Sequence, residues 1–261
     1  MSVDGEIGYA ADDNVTRAAR VQEILDDSFA TVGAGLTWRQ PVARQVRAVA
    51  RAFGRYERYE DYSELSNAVG GASVNLQFRT RGSLLAPTYN LFGKAQIADY
   101  GSAMRDGYLY SWGVSVEKPL TDRIVTNLSL AANERDSKSE VFDTGDVSVS
   151  LNLDYQFTRR AASYLGYQYL DGDIVSTASP FWLAIINEAT AIQADDAFGG
   201  AASNRFAYRL KGETQLVTLG MNFAIDEHNA VDLSGRYAEA ESDGGIRYKR
   251  NSVNLAYLLR F

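Results

Sequence analysis

The sequence has no cysteine, one histidine, four prolines and no long apolar run in 261 residues. Without cysteine no disulfide can form, which is compatible with an oxidising periplasmic route but is weak evidence for one. A transmembrane helix needs about 18 consecutive apolar residues, and the longest candidate, FWLAII at residues 181–186, is far too short. The mean hydropathy of −0.25 describes a soluble chain only if the apolar residues do not alternate with polar ones, because alternation cancels in an average.

Such alternation is found in the last ten residues of the sequence. One set of alternate positions is apolar, and the residues between are mostly polar: the first set is Val253, Leu255, Tyr257, Leu259 and Phe261, and the second is Ser252, Asn254, Ala256, Leu258 and Arg260. A period of two places successive side chains on opposite faces of a β-strand. The pattern therefore predicts a closing strand with one apolar and one polar face.

About twelve segments of this kind follow one another along the chain. The clearest covers residues 147–157, where Val, Leu, Tyr and Phe alternate with Ser, Asn, Asp and Gln. The segment at residues 47–56 is rich in Ala and would also suit a helix, but its arginines fall on one alternating face, which favours a strand. High Gly and Tyr counts, 22 and 16, are typical of outer-membrane barrels.

Short and long connections alternate between these segments. Short turns are predicted near 40–45, 80–86, 118–122, 158–160 and 226–229, and longer loops near 12–27, 57–66, 99–107, 136–145, 171–205 and 241–247. Outer-membrane barrels have short periplasmic turns and longer extracellular loops, and an even strand count puts both termini on the periplasmic side. Aromatic residues at both ends of the segments, for example Trp38 near a short turn and Tyr56 near a long loop, would form the two interfacial girdles.

The prediction is therefore a single domain over residues 1–261. Its fold class is all-β: a transmembrane antiparallel up-and-down β-barrel of about 12 strands in the outer membrane of a Gram-negative bacterium. A soluble antiparallel sandwich is the alternative. It is disfavoured because the apolar faces carry many aromatics and the polar faces are too rich in Ser and Asn to pack against a second sheet. No signal peptide is recognisable, so the expected location depends on the barrel pattern.

The two ends of the sequence resemble known families. The closing strand, with Tyr257, Leu259 and Phe261, resembles the C-terminal signature that the barrel-assembly machinery reads in outer-membrane barrels. The stretches GYAADDNV at 8–15, DSF at 27–29 and RYERY at 55–59 resemble putative β-barrel porins and the C-terminal barrels of surface lipoprotein assembly modifiers. The resemblance implies an outer-membrane barrel whose terminal strand carries the assembly signal.

The polar faces of the predicted strands would line the lumen, and they are rich in arginine. The predicted pore-lining residues are Arg39, Arg47, Arg51, Arg55, Arg79, Lys94, Asp154, Asp232 and Arg236. Since the whole chain has a net charge of −7, the negative charge would be concentrated in loops and turns. An open lumen of this kind would prefer anions. The alternative is that Asp154 and Asp232 pair with arginines across the lumen and close it.

Nothing in the sequence points to catalysis, so no enzymatic activity, no cofactor and no metal are expected. A serine hydrolase of the outer-membrane phospholipase type needs a histidine beside a serine, and His228 stands in a predicted turn. Asp12-Asp13-Asn14 and Asp171-Gly172-Asp173 could supply oxygen ligands for Ca²⁺, but both are better explained as solvated acidic loops.

Two functions are compatible with these patterns. The first is a porin-like channel for small, anionic solutes. The second is a plugged structural or export-associated barrel that acts as a scaffold for a surface or periplasmic partner. The expected partners are outer-membrane lipid and lipopolysaccharide, the barrel-assembly machinery and a small anionic solute, with no nucleic acid. The apolar cluster at 181–186 should be buried somewhere, because large apolar patches are seldom left in water.

Overall fold

The computed structural model describes residues 1–80, 85–198 and 204–261. Most of the turn predicted near 80–86, and part of the loop predicted at 171–205, lie outside these ranges. No helix in the described residues is long and apolar enough to cross a membrane.

Strands make up nearly all of the regular structure. They are β1 (Ser2–Asp12), β2 (Asp27–Ala43), β3 (Val46–Tyr59), β4 (Asn67–Arg79), β5 (Thr88–Tyr100), β6 (Gly107–Pro119), β7 (Ile124–Ser137), β8 (Thr144–Gln156), β9 (Ala161–Ala178), β10 (Ala191–Ala194), β11 (Phe206–Ala224), β12 (Asn229–Ser242) and β13 (Arg247–Arg260). One short helix, α1 (Leu183–Glu188), lies between β9 and β10. Single 3-10 turns occur in the longer connections, for example at Ala103–Arg105.

The sheet closes on itself. Apart from β10, each strand pairs antiparallel with the barrel strands before and after it: β9 pairs with β11, and β1 pairs with both β2 and β13. Ile7, for example, lies opposite Val32 on one side and Tyr257 on the other. The result is a closed twelve-strand barrel, and β10 is an extra strand that pairs with the beginning of β11. The predicted fold class and strand number are confirmed.

Alternation decides which side chains face outward. The apolar positions of every barrel strand lie on the outer surface: Leu151, in the clearest predicted strand, is 48% exposed there, and Val32, Val74, Leu128 and Leu219 are exposed in the same way. Closure leaves none of the twelve barrel strands with an unpaired edge, which is the condition for crossing a bilayer with strands; β10, outside the closed ring, pairs on one side only. The Ala-rich segment at 47–56 belongs to β3, so its interpretation as a strand is confirmed.

Both termini lie at the end of the barrel that carries the short turns. The backbone N–H of Phe261 donates to the carbonyl oxygen of Val3 at 2.8 Å, and the N–H of Arg260 donates to His228 in the turn before β12. The longer loops lie at the opposite end. Exposed aromatic side chains mark both ends, with Trp38 at the short-turn end and Tyr56 at the long-loop end.

The ninth strand is longer than predicted. The expected strand was 161–170 followed by an irregular stretch to about 205, whereas β9 continues to Ala178 and pairs with β11 up to Phe206. Asp171-Gly172-Asp173 was predicted to be a loop, and this prediction is wrong because the three residues belong to β9. Gly172 instead permits a close approach to β8, because a Cβ there would overlap the carbonyl oxygen of Gly145. The extension of β9 and β11 rises beyond the barrel wall and is buried.

Residues 179–198, which contain α1 and β10, form a lid over the long-loop end of the barrel. Ile185 of α1 is fully buried against Tyr208 and Leu210 of β11. Phe198 packs edge-on against Tyr62. The apolar cluster at 181–186 is thus buried only in part, because Phe181 and Leu183 are 79% and 71% exposed.

Candidate functional site

The lumen contains the polar face of every barrel strand. With twelve strands about 4.8 Å apart and tilted by about 40°, the backbone diameter is about 24 Å. Inward side chains at mid-height and towards the short-turn end are exposed to solvent, among them Lys94, Asn152 and Asp154. The inner face of the barrel is therefore in contact with solvent at these positions.

The predicted pore-lining residues occupy different heights in the lumen. Arg55 and Arg236 line the upper cavity described below. Arg51 and Lys94 line a recess of about 330 Å³ at mid-height together with Asp4 and Glu6. The remaining predicted residues lie on the same alternating faces: Arg39 on β2, Arg47 on β3, Arg79 on β4, Asp154 on β8 and Asp232 on β12. Their contribution to a pore remains a prediction.

Arg51 is held against the wall by an acid two strands away. Its guanidinium forms two hydrogen bonds with the carboxylate of Asp4, at 2.6 and 2.7 Å, and passes over Gly35 of β2. A Cβ on Gly35 would lie 2.6 Å from Arg51 Cζ. Glycine therefore leaves room for the guanidinium in this position, and the bidentate geometry makes this one of the stronger kinds of ion pair.

The neighbouring cations are also held along the wall. Arg55 forms an ion pair with Glu57 at 3.0 Å. Lys94 Nζ lies 5.0 Å from the centroid of the Phe53 ring, in the range of a cation–π contact. Arg51, Arg55 and Lys94 thus form a basic surface on β3 and β5.

The acids on the other wall do not close the lumen. Asp232 accepts a hydrogen bond from Tyr164 Oη at 3.0 Å. Among the described residues neither Asp232 nor Asp154 has a cationic nitrogen within 4.0 Å. The predicted pairing of these two acids with arginines is therefore not found among the described residues, whereas a plugged lumen stays an alternative prediction. Asp154 lies across the ring from the basic surface, with its side chain in open space.

The lid is joined to the barrel by a buried ion pair. Arg105, in the loop between β5 and β6, donates two hydrogen bonds to the carboxylate of Asp195 at 2.8 and 2.9 Å. The Asp195 side chain is completely buried, and that of Arg105 is 13% exposed. Thr177 Oγ1 donates to the same carboxylate at 2.8 Å. Because a buried charge without a partner is costly, this contact opposes opening of the lid.

Further contacts join the lid to other loops. Ser102 Oγ donates to Asp196 at 2.5 Å, and Ser139 Oγ hydrogen-bonds with Gln193 of β10. Phe198 packs on Leu65, in the loop between β3 and β4. The lid therefore contacts several separate loops around the mouth.

A cavity of about 670 Å³ lies in the lumen below the lid, and its described wall includes Arg105 and Thr177, which hydrogen-bond to Asp195 of the lid, but no residue of the lid itself. Its wall contains charged, aromatic and aliphatic side chains from nearly every strand. The cationic members are Arg17, Arg55, Arg105, Arg135, Arg236 and Arg250; the acidic members are Glu6, Asp12, Glu57, Asp146 and Asp173; the apolar members include Phe29, Tyr59, Leu65, Phe142, Leu170 and Leu216. Its volume is within the usual range for small-molecule sites, about 300–1,000 Å³.

The two acidic clusters are structural. The Asp12 side chain is fully buried and forms an ion pair with Arg250, and Asp173 pairs with Lys211 at 2.8 Å. Their interpretation as solvated acidic loops is therefore wrong for these two residues. No group of three or more histidine, cysteine or acidic residues within the described ranges is arranged to hold a metal ion.

The rim of the mouth carries a second acid–base contact outside the barrel wall. Lys138 Nζ donates to Asp106 at 2.8 Å, and the backbone N–H of Tyr100 donates to the same carboxylate at 2.7 Å. Burial favours a higher pKa for Asp106, but these hydrogen bonds outweigh it and hold the pKa of its carboxyl below the usual value. The Asp106 carboxylate is therefore charged at every pH above the pKa of an ordinary aspartate.

Several residues of the site were not predicted from the sequence. Arg105 and Asp195 are 90 residues apart in loops, and no local pattern links them. Tyr164 lies on the polar face of β9 among Gly and Gln. The sequence did contain one indication of these contacts. Gly35 and Gly220 stand at inward positions of their strands, where the absence of a side chain leaves space for a large side chain from a neighbouring strand.

The chain matches no family model and no curated protein. Among solved structures, the COG4313 outer membrane channel from Pseudomonas putida F1 matches at a TM-score of 0.62 and 11% identity, over 100% of this chain and 95% of the other. The NanC porin matches at 0.52 and 7% identity over 98% of both chains. At such low identity, the TM-scores establish a shared fold. They confirm the resemblance to outer-membrane barrels, whereas the specific assembly-modifier type remains a prediction.

Outer membrane phospholipase A from Escherichia coli matches at a TM-score of 0.52 and 11% identity, over 98% of this chain and 89% of the other. It is an enzyme with this same fold. The expectation that the chain is not an enzyme is thereby overturned, because an outer-membrane barrel does not in itself exclude catalysis. His228 lies in the exposed turn before β12, where Nδ1 is 2.9 Å from the carbonyl oxygen of Arg260.

Proposed function

We propose that the protein is an outer-membrane channel of the porin type, that it passes small anionic solutes, and that the lid controls the passage. The observation that supports this most directly is a cavity of about 670 Å³ in the lumen, lined by charged side chains from most of the strands, together with exposed inward side chains such as Asp154 nearer the short-turn end. A solute would pass through the lumen and the cavity and leave when the lid moves aside.

The preference for anions follows from the balance of charges in the lumen. Arg51 and Arg55 already have acid partners, Asp4 and Glu57, so they contribute little net charge. The excess comes from the other cations, Arg39, Arg47 and Lys94, on β2, β3 and β5. Exposed Asp154 stands on the opposite wall. Separated charges of opposite sign would produce a field across the lumen, with its more strongly positive side along β2 to β5.

The membrane location and the partners belong to the same proposal. The outer apolar surface would contact outer-membrane lipid and lipopolysaccharide, with both termini on the periplasmic side. The barrel-assembly machinery would read Tyr257, Leu259 and Phe261 on the closing strand. In this orientation the lid faces the cell exterior.

The lid also favours a second function. It buries Asp195 and Ile185 completely, and a barrel closed permanently in this way would conduct nothing. It would then act as a scaffold for a surface or periplasmic partner. The two functions differ in one measurable respect, which is whether the lid opens.

A reversible cross-link can test this, because the natural chain has no cysteine. Ser102 and Asp196 are in direct contact, so the double variant Ser102→Cys/Asp196→Cys should form a disulfide that fixes the lid. In planar bilayers we expect stepwise currents under reducing conditions and their loss on oxidation. The single variant Ser102→Cys, which cannot cross-link, should conduct equally under both conditions.

Two outcomes would contradict the proposal. Equal currents from the reduced and the confirmed oxidised double variant would show that the lid does not control passage. No current from either form, or from a variant with a weakened lid contact, would support the closed scaffold.

A further inference from the structure

We propose that the cavity beneath the lid is a binding site for a monocarboxylate with an apolar body, such as an aromatic or short aliphatic acid. This inference names the solute class of the proposed channel and depends on that function for the route of entry. The cavity is large enough for such a ligand, at about 670 Å³.

Arg135 on β7 is the cation in this cavity best placed to bind a carboxylate. Its Nε donates to Ser137 Oγ at 3.0 Å, and its Nη2 donates to the carbonyl oxygen of Arg105 at 2.6 Å. No carboxylate among the described residues lies within 4.0 Å of its guanidinium. The fork of Arg135 therefore has N–H groups left for a planar carboxylate, the geometry that arginine binds best.

Aromatic rings hold this guanidinium in place. It lies 5.3 Å from the centroid of the Tyr100 ring and 6.0 Å from that of Phe142. The guanidinium of Arg105 lies 4.2 Å from the centroid of the same Phe142 ring. Rigid positioning of this kind reduces the entropy lost on binding.

Arg105 adds a second, incompletely satisfied donor. Two of its N–H groups bind Asp195, but its Nε is buried without a hydrogen-bond partner among the described residues. A buried donor without a partner is destabilising, and an acceptor on a ligand would relieve this. Two guanidinium groups thus face one protein carboxylate at the top of the cavity, which leaves one positive charge in excess.

The other charges in the wall limit the ligand to a single negative charge. Asp12 is neutralised by Arg250, Glu57 by Arg55 and Asp173 by Lys211. The other charged groups of the wall are Arg17, Arg135 and Arg236 against Glu6 and Asp146, which leaves one positive charge, so a phosphate or a polycarboxylate would bring more negative charge than the wall can neutralise. A monocarboxylate needs only one cation.

The remaining wall suits an apolar body. Phe29 and Tyr59 stack with ring centroids 4.6 Å apart, and both line the cavity with Leu65 and Leu216. A polar solute such as a sugar acid would leave these surfaces without apolar contact, whereas the ring of an aromatic acid would cover them. The hydrophobic effect contributes about 25 cal/mol for each Å² buried.

The test measures binding without current, so that it does not depend on conduction. Benzoate is titrated into the refolded barrel in detergent by isothermal calorimetry, with benzyl alcohol as the neutral probe of similar shape. We expect saturable binding of benzoate and at least tenfold weaker binding of benzyl alcohol. Arg135→Gln should weaken benzoate binding at least tenfold, and the exposed turn variant Arg123→Gln should bind as the wild type does.

Heat-shift electrophoresis shows whether each variant is folded, and Arg135→Lys, which keeps the charge but not the fork, should bind with intermediate affinity. Absence of benzoate binding to the wild type would overturn the proposal, as would equal binding of the two probes or undiminished binding by folded Arg135→Gln. A protein that binds benzoate but is silent in bilayers would retain this site and lose the channel function.

Discussion

Tyr164 lies flat against the barrel wall across Gly220 and donates a hydrogen bond to Asp232 on the strand beyond, at 3.0 Å. A Cβ on Gly220 would lie 2.7 Å from Tyr164 Cε1 and closer still to Cζ and the hydroxyl oxygen of the same side chain. Arg51 passes over Gly35 to Asp4 in the same manner on the other side of the barrel. In both places a glycine lets a large side chain lie along the wall, so that the centre of the lumen stays free.

Gly220→Ala should therefore narrow the lumen. The added methyl group would force the Tyr164 ring off the wall and break its hydrogen bond with Asp232. We expect a lower single-channel conductance, by about one third or more, with little change in folding yield. Gly70→Ala is the matched control, because a Cβ on Gly70 meets nothing within 4 Å.

The double variant Gly220→Ala/Tyr164→Ala should restore the conductance, since the displaced ring is then absent. An unchanged conductance in Gly220→Ala would show that this part of the lumen does not limit the current.

Asp195→Asn should weaken the lid. The substitution keeps the shape of the side chain but removes the charge that holds Arg105, and loss of one partner of a buried ion pair typically costs about 3–5 kcal/mol. We expect the fraction of time spent open in bilayer recordings to rise at least tenfold. Asp243→Asn, in the exposed loop before β13, should leave the open fraction unchanged. Identical gating of the wild type and Asp195→Asn would show that this ion pair does not hold the lid closed.

Leu151→Arg should impair folding into lipid, whereas Asn152→Arg should be tolerated. Leu151 points outward and Asn152 points into the lumen, so only the first places a charge at the depth of the hydrocarbon, at a cost of about 2–4 kcal/mol. The fraction folded in lipid vesicles, read from heat-shift electrophoresis over a urea series, measures the difference. Equal losses for the two variants would contradict the assigned orientation of β8.

Deletion of Phe261 should slow insertion in cells far more than folding in detergent. The side chain is 72% exposed, and the deletion removes only the backbone hydrogen bonds between Phe261 and Val3. The comparison is between the amount of folded barrel in outer-membrane fractions and the refolding yield of purified protein. Normal levels in the membrane would mean that this terminus is not read as a signal.

The barrel itself could be predicted from the sequence because lipid and water impose a period of two on every strand. Leu151 and Asn152 differ in environment and also in chemistry, so alternation reveals the face of each. The same reasoning identified the inward arginines, including Arg51 and Arg55. It could not reveal that Asp4 pairs with Arg51, because that contact depends on strand register and on Gly35.

The lid could not be predicted for a different reason. Its contacts join residues such as Arg105 and Asp195 from separate loops, and loop conformation has no periodic signal. The extension of β9 was missed because Asp171-Gly172-Asp173 has the composition of a turn, whereas here the glycine serves close strand packing. The cavity is lined by side chains from many strands and loops of the barrel, and only the closed ring brings these together.

The most direct test of the account is the reversal potential in a KCl gradient across a planar bilayer. Asp195→Asn is recorded beside the wild type, so that rare opening of the lid does not conceal the current. The account predicts that both pass chloride in preference to potassium, and that Arg51→Glu/Arg55→Glu shifts the reversal potential toward potassium. Potassium preference in the wild type, or silence of both proteins after confirmed insertion, would contradict it.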